Sequence, residues 1–293
     1  MIVIDFISGI ISVLCKLVIR GRKDERSSQI LNFLQKTFEY CLRKNIPKLS
    51  KNIFEVIYNN YLPLKTEFDT FFTTNPQLIW APIEHLTNDN YYVISILNDL
   101  LVHPNASNII QFIDINVLMK ILTTTFEEYQ RETYYKSSEE RSLILTLGLI
   151  GNLLKISPTS SFSPEIIISI YQTLFGMNVI VFGDCPFNIK NTYIYVLFLL
   201  FNELNPAIIE EKVPLPFFQE CLSILPSAQK FIISTTLSVF SNLLTQYSSY
   251  GDYHQSPYFG QLLFETLQEI YETNEKLSEE DKPKLENLLK SFQ

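Results

Sequence analysis

Glycine is scarce in this chain, eight in 293 residues. A β-sandwich or a doubly wound sheet draws on turn glycines and on recurring β-branched alternation, and neither pattern is present. Charged residues are few as well, 18% against 46% apolar, which excludes a disordered chain and leaves ample material for a core. The four cysteines (Cys15, Cys41, Cys185, Cys221) lie far apart without a CxxC pair. They exclude a disulfide framework and are expected to be free thiols in a reducing compartment, the cytoplasm or the nucleus. Three histidines, none three or four residues from another, are too few for most metal sites. HExxH, P-loop, GxGxxG and G-x-S-x-G signatures are all missing. Cys185, in Gly183-Asp184-Cys185-Pro186, is the best nucleophile on offer, but no base or cation stands near it beyond Lys190. The expectation is a non-enzymatic protein without cofactor, metal or small-molecule substrate.

What the chain does contain is one helix written four times. Four apolar segments carry an asparagine at the same place: Asn98, Asn152, Asn202 and Asn242. Positions −5, −2 and +2 from each are apolar: Val93/Ile96/Leu100, Leu147/Ile150/Leu154, Leu197/Leu200/Leu204 and Leu237/Phe240/Leu244. These steps follow the helical period, and at about 100° per residue the trio falls roughly 160–220° from the asparagine. Each helix should bury the same stripe and turn an amide the other way. The fold class is all-α. Spacings of 54, 50 and 40 residues between the asparagines suit helical-repeat units with extended loops.

Taken in order, residues 1–88 form an N-terminal helical layer, 89–246 the repeats and 247–293 C-terminal capping helices. Met1–Ile19 is apolar, but Asp5, Ser8, Ser12 and Lys16 make a thin polar stripe and no basic n-region or cleavage site is present. A helix packed on residues 27–61 is expected there. Asp114 is a plausible N-cap for a helix over 115–129, and Ser163-Pro164-Glu165 starts another. Polar loops are expected over 131–140 and 157–163. Gly176–Asn188, with its Val179-Ile180-Val181 run, reads as the least helical stretch. Helices are expected over 190–205, 216–224, 226–246 and 258–273, with a charged one from about Ser278.

Net charge is −8 but unevenly spread. Residues 1–60 hold ten Lys/Arg against five Asp/Glu, a net of +5 that leaves −13 for the remainder. A solvated helix face explains this basic cluster better than nucleic acid does.

The helices ending Leu149-Ile150-Gly151-Asn152-Leu153-Leu154 and Val239-Phe240-Ser241-Asn242-Leu243-Leu244 resemble those of the armadillo-repeat family, a right-handed α-α superhelix. The resemblance covers about residues 89–246. It implies that the asparagine-bearing helices line a concave groove whose amides hold the backbone of an extended peptide. Asn98, Asn152, Asn202 and Asn242 are the matching positions; Tyr91, Tyr195 and Phe198 beside them are candidate contacts for apolar side chains of a ligand, or are covered by another part of the chain. The import-receptor version places tryptophan four residues before the asparagine, where this chain has Ile94, Gly148, Phe198 and Ser238. A basic nuclear-localisation peptide is therefore not the expected ligand. The other role open to each amide is a bond to the next repeat or to a loop. The leading expectation is an interaction scaffold or adaptor for a partner protein or peptide. The alternative is a peripheral membrane or trafficking component docking by its apolar, basic N-terminus.

Overall fold

The computed structural model describes residues 2–20, 25–44, 46–80, 83, 91–102, 104, 106–131, 137–156, 162–249, 251–273 and 277–292. Every regular element among them is helical, as the composition requires. By contacts the chain divides into two compact units, Met1–Leu153 and Leu154–Gln293, a division that falls inside the second asparagine-marked helix.

The first unit holds α1 (Ile2–Arg20), α2 (Glu25–Arg43), α3 (Pro47–Asn60), α4 (Lys65–Thr74), α5 (Gln77–Trp80), α6 (Tyr91–Leu101), α7 (Ser107–Ile110), α8 (Ile115–Arg131) and most of α9 (Ser137–Ile156). Helix α1 packs on both α2 and α3, burying Ile11, Cys15 and Val18 at steps of four and three. Helix α3 in turn lies on α6. Aromatic rings join these layers: Phe38 meets Phe68 at 5.9 Å and Phe54 stacks on Phe72 at 6.2 Å. Asp69 is buried, yet its carboxylate is satisfied by the Tyr61 hydroxyl and by Lys65 Nζ at 2.9 Å. Asp114 caps α8, its Oδ1 accepting from the Asn116 N–H at 2.8 Å.

The second unit continues with α10 (Pro164–Gly176), α11 (Asn178–Asp184), α12 (Phe187–Glu203), α13 (Pro206–Lys212), α14 (Leu215–Ile224), α15 (Lys230–Tyr247), α16 (Gln261–Glu272) and α17 (Asp281–Lys290). Its centre is α12, in which every residue from Tyr193 to Phe201 is buried. A helix apolar on all sides has to be surrounded, and α10, α11, α14 and α15 do so. Gly260 marks a tight passage before α16. A Cβ there would lie 2.6 Å from the His254 carbonyl oxygen and 2.7 Å from that of Ser256, so no side chain fits.

Two local readings need correction. The stretch 176–188 is helical, not irregular: α10 runs to Gly176, α11 follows at once and α12 begins at Phe187. Packing overrides the poor helix propensity of Val179-Ile180-Val181. Met177 and Val181 are buried, Phe182 meets Tyr193 and Phe217 edge-on, and Lys190 Nζ bonds the Phe182 carbonyl at 2.7 Å. Helix α9 also starts at Ser137, inside the expected 131–140 loop. The loops expected at 132–136 and 157–161 lie outside the described residues.

No single described helix is long and apolar enough to cross a membrane.

Candidate interaction face

The apolar stripes lie where the helical period puts them. Val93, Ile96, Leu100, Leu147, Ile150, Leu154, Leu197, Leu200, Leu204, Leu237, Phe240 and Leu244 are all buried, none more than 6% exposed. The asparagines opposite them are half-buried, except Asn242, which is exposed. They do not stand alone. In the first unit Asn152 Nδ2 donates to Asn98 Oδ1 at 2.9 Å, and Asn98 Nδ2 donates to the carbonyls of Leu145 (2.9 Å) and Ile94 (3.1 Å). In the second, Asn242 Nδ2 donates to Asn202 Oδ1 at 2.8 Å. Within each unit two marked helices are thus joined amide to amide, and Asn98 spends both of its donors within the protein as well.

The glycine four residues before Asn152 fits this arrangement. A Cβ on Gly148 would sit in ordinary contact with Asn98 Oδ1, at 3.8 Å, which places this position directly beside the pair.

The flanking aromatics are placed differently from expectation. Phe198 is fully buried, edge-on to Phe201 and Phe240, and Tyr195 is buried with its ring against Phe231. Both belong to the core, because they fall within the run from Tyr193 to Phe201 that is buried on every side. Tyr91 is half-exposed, with its hydroxyl 3.2 Å from that of Tyr58 and its ring 5.4 Å from Tyr92.

Beside Asn242 the second unit opens a groove of about 590 Å³ between α15 and α17. Ser238, Ser241, Thr245 and Ser248 line one wall, and Lys284 and Asn287 stand on the other. Their spacing of three, four and three residues is a polar helical stripe readable in the sequence, though it was not singled out there. The hydroxyls of Ser238, Thr245 and Ser248 donate to carbonyls of their own helix at 3.2, 2.8 and 2.8 Å. The lone pairs that remain face outward as acceptors, while Lys284 and Asn287 supply donors.

The two walls are held by one buried carboxylate. Asp281 accepts from Ser234 of α15 at 2.9 Å, from Ser278 at 2.6 Å and from Lys284 Nζ at 3.3 Å. Ser278 Oγ accepts the Asp281 N–H at 3.1 Å in return, so the two residues bond reciprocally at the start of α17. Burial opposes the charge on Asp281, but these bonds prevail and hold its pKa below the usual carboxylate value. At the far end the Tyr253 hydroxyl donates to the Ser291 carbonyl.

The remaining reactive groups do not converge. The four cysteines are buried and none is in a disulfide, and desolvation pushes the Cys15 thiol up to about 12. His254 is exposed and stacked on Tyr253 at 4.3 Å, while His85 and His103 lie outside the described residues. No cluster of three His, Cys, Asp or Glu able to hold a metal occurs among the described residues.

No protein-family model, curated protein or solved structure matches the chain.

Proposed function

We propose that this protein is a non-enzymatic interaction scaffold that holds an extended segment of a partner protein along the asparagine face of its second unit. The carrying observation is the open groove beside Asn242, with hydroxyl acceptors on one wall and Lys284 and Asn287 on the other. A peptide backbone without secondary structure needs alternating donors and acceptors, which is what such walls supply. The exposed Asn242 keeps its carbonyl oxygen and one N–H for the same strand. Asn98, Asn152 and Asn202 act in this reading through their pairs, as struts that fix the spacing of neighbouring helices. The repeated stripe and asparagine support a degenerate armadillo-like, right-handed superhelix as the scaffold. Four cysteines without a disulfide support action in a reducing compartment, the cytoplasm.

The test is selection of linear peptides from a displayed library, followed by binding to a variant in which Ser241→Trp fills the groove. Ser241 is exposed, so the fold should survive the replacement. Selected peptides should lose binding to the filled variant and weaken by about one hydrogen bond's worth, roughly five- to tenfold, with Asn287→Ala. Peptides that bind both variants as well as the parent would remove the groove from consideration.

A further inference from the structure

The outward faces of α1 and α2 carry a second feature that the scaffold reading does not use. On α1, Phe6, Ile10, Val13 and Leu17 are 66%, 43%, 56% and 46% exposed. Their steps of four, three and four place them on one flank of the helix. Asp5 projects from the opposite flank, where Asn52 of α3 donates to it at 3.3 Å, so the apolar stripe lies on the side turned away from α3. On α2, Phe33 and Tyr40 are 58% and 65% exposed. Lys36 falls between them on the same line, and Lys44 extends it with its ammonium 5.1 Å from the Tyr40 ring centroid. Exposed Arg20 borders the stripe on α1, while Lys16 stands on the Asp5 line. The acidic Glu39 is already paired with Arg43 at 2.8 Å.

Large apolar side chains at helical spacing are normally covered. On α2 they alternate with lysines, and both helices lie within residues 1–60, whose net charge is +5 against −13 for the remainder. Aromatic rings beside basic side chains suit the headgroup boundary of a bilayer, where rings enter the acyl edge and ammonium groups meet phosphate. We infer that the α1–α2 face docks peripherally on an anionic lipid surface, lying in the interface plane and not spanning the bilayer. The cationic rim selects the negatively charged surface over another apolar occupant such as a second copy, whose own face would bring like charges together.

Flotation of the full chain with phosphatidylcholine vesicles, with and without phosphatidylserine, tests this. Binding should require phosphatidylserine and fall with added salt. The double variant Phe6→Ser/Val13→Ser should lose it, and Lys36→Glu/Lys44→Glu should weaken it by about tenfold or more, since each basic residue at a membrane surface contributes about fivefold. All four positions are exposed, so melting should be unchanged, and the charge variant serves alone if the apolar one does not fold. Absent or phosphatidylserine-independent binding by the parent protein would overturn the inference. So would a parent dimer in sedimentation that Phe6→Ser/Val13→Ser dissociates, which would assign the face to a second copy.

Discussion

The bond between Asn98 and Asn152 makes a quantitative prediction about the first unit. Asn98→Ala removes the acceptor for Asn152 Nδ2 and two donations to the carbonyls of Leu145 and Ile94. Those carbonyls belong to helices and keep their backbone partners four residues on, so the loss there is small. The Asn152 amide is half-buried and loses its partner outright. At about 0.5–1.5 kcal/mol net per hydrogen bond, Asn98→Ala should destabilise by about 1–3 kcal/mol and Asn152→Ala by about 1 kcal/mol. The informative quantity is the coupling. Once Asn98 is alanine, Asn152 has nothing to donate to, and its replacement should cost about 0.5–1.5 kcal/mol less than in the parent. Trp80, the only tryptophan, is buried in the same unit and reports its unfolding in urea by fluorescence. Single variants that add to the double within about 0.3 kcal/mol would refute the pairing as an energetic link.

Other outcomes can be checked alongside. Leu200 is fully buried in the enclosed α12, and Leu200→Ala should destabilise the second unit by about 2–5 kcal/mol in denaturant melts. Gly260→Ala forces a Cβ against two backbone carbonyls that cannot swing aside, and a loss of about 1–3 kcal/mol should appear in thermal unfolding. Asp281→Ala should destabilise by about 1–3 kcal/mol at neutral pH, where the carboxylate bonds Ser234, Ser278 and Lys284. Because its folded pKa is depressed, that contribution is fully present above the unfolded value and fades as pH falls through the lower folded one. Parent and variant stabilities should therefore converge below about pH 4, and a constant gap down to lower pH would contradict the assignment.

The buried stripes were legible because a single period governs them: Ile150 and Leu200 sit at the same place in the same helical pattern, and both are fully buried. The ends set by local chemistry were equally readable, such as Asp114 before α8 and Ser163-Pro164 before α10. A bond from each amide to the next repeat was one of two roles the sequence left open, but which amides meet was not legible, since the partners stand 54 and 40 residues apart and only packing brings them together. Tyr195 and Phe198 were misplaced by treating α12 as one-faced. The unbroken run from Tyr193 to Phe201 was the available signal that no face is open. Helix α11 escaped because Val179-Ile180-Val181 suits strands locally, and only the aromatic neighbours of Phe182 decide for helix. The reciprocal bonding of Ser278 and Asp281 was not legible, since that helix stood out in the sequence only for its charge.

The amide pairs carry one further consequence, for register. Apolar stripes made of leucine, isoleucine and phenylalanine are permissive along the helix axis, because a shift by one turn, about 5.4 Å, presents a similar surface to the neighbour. A side-chain amide bond at 2.8–2.9 Å is not permissive, since the same shift would strand both partners. In each unit, then, one asparagine pair fixes the longitudinal position of two helices whose oily faces alone would leave several alignments close in energy. Its replacement by a leucine pair should yield helices just as buried but less certain of their alignment, as polar residues do in coiled-coil seams.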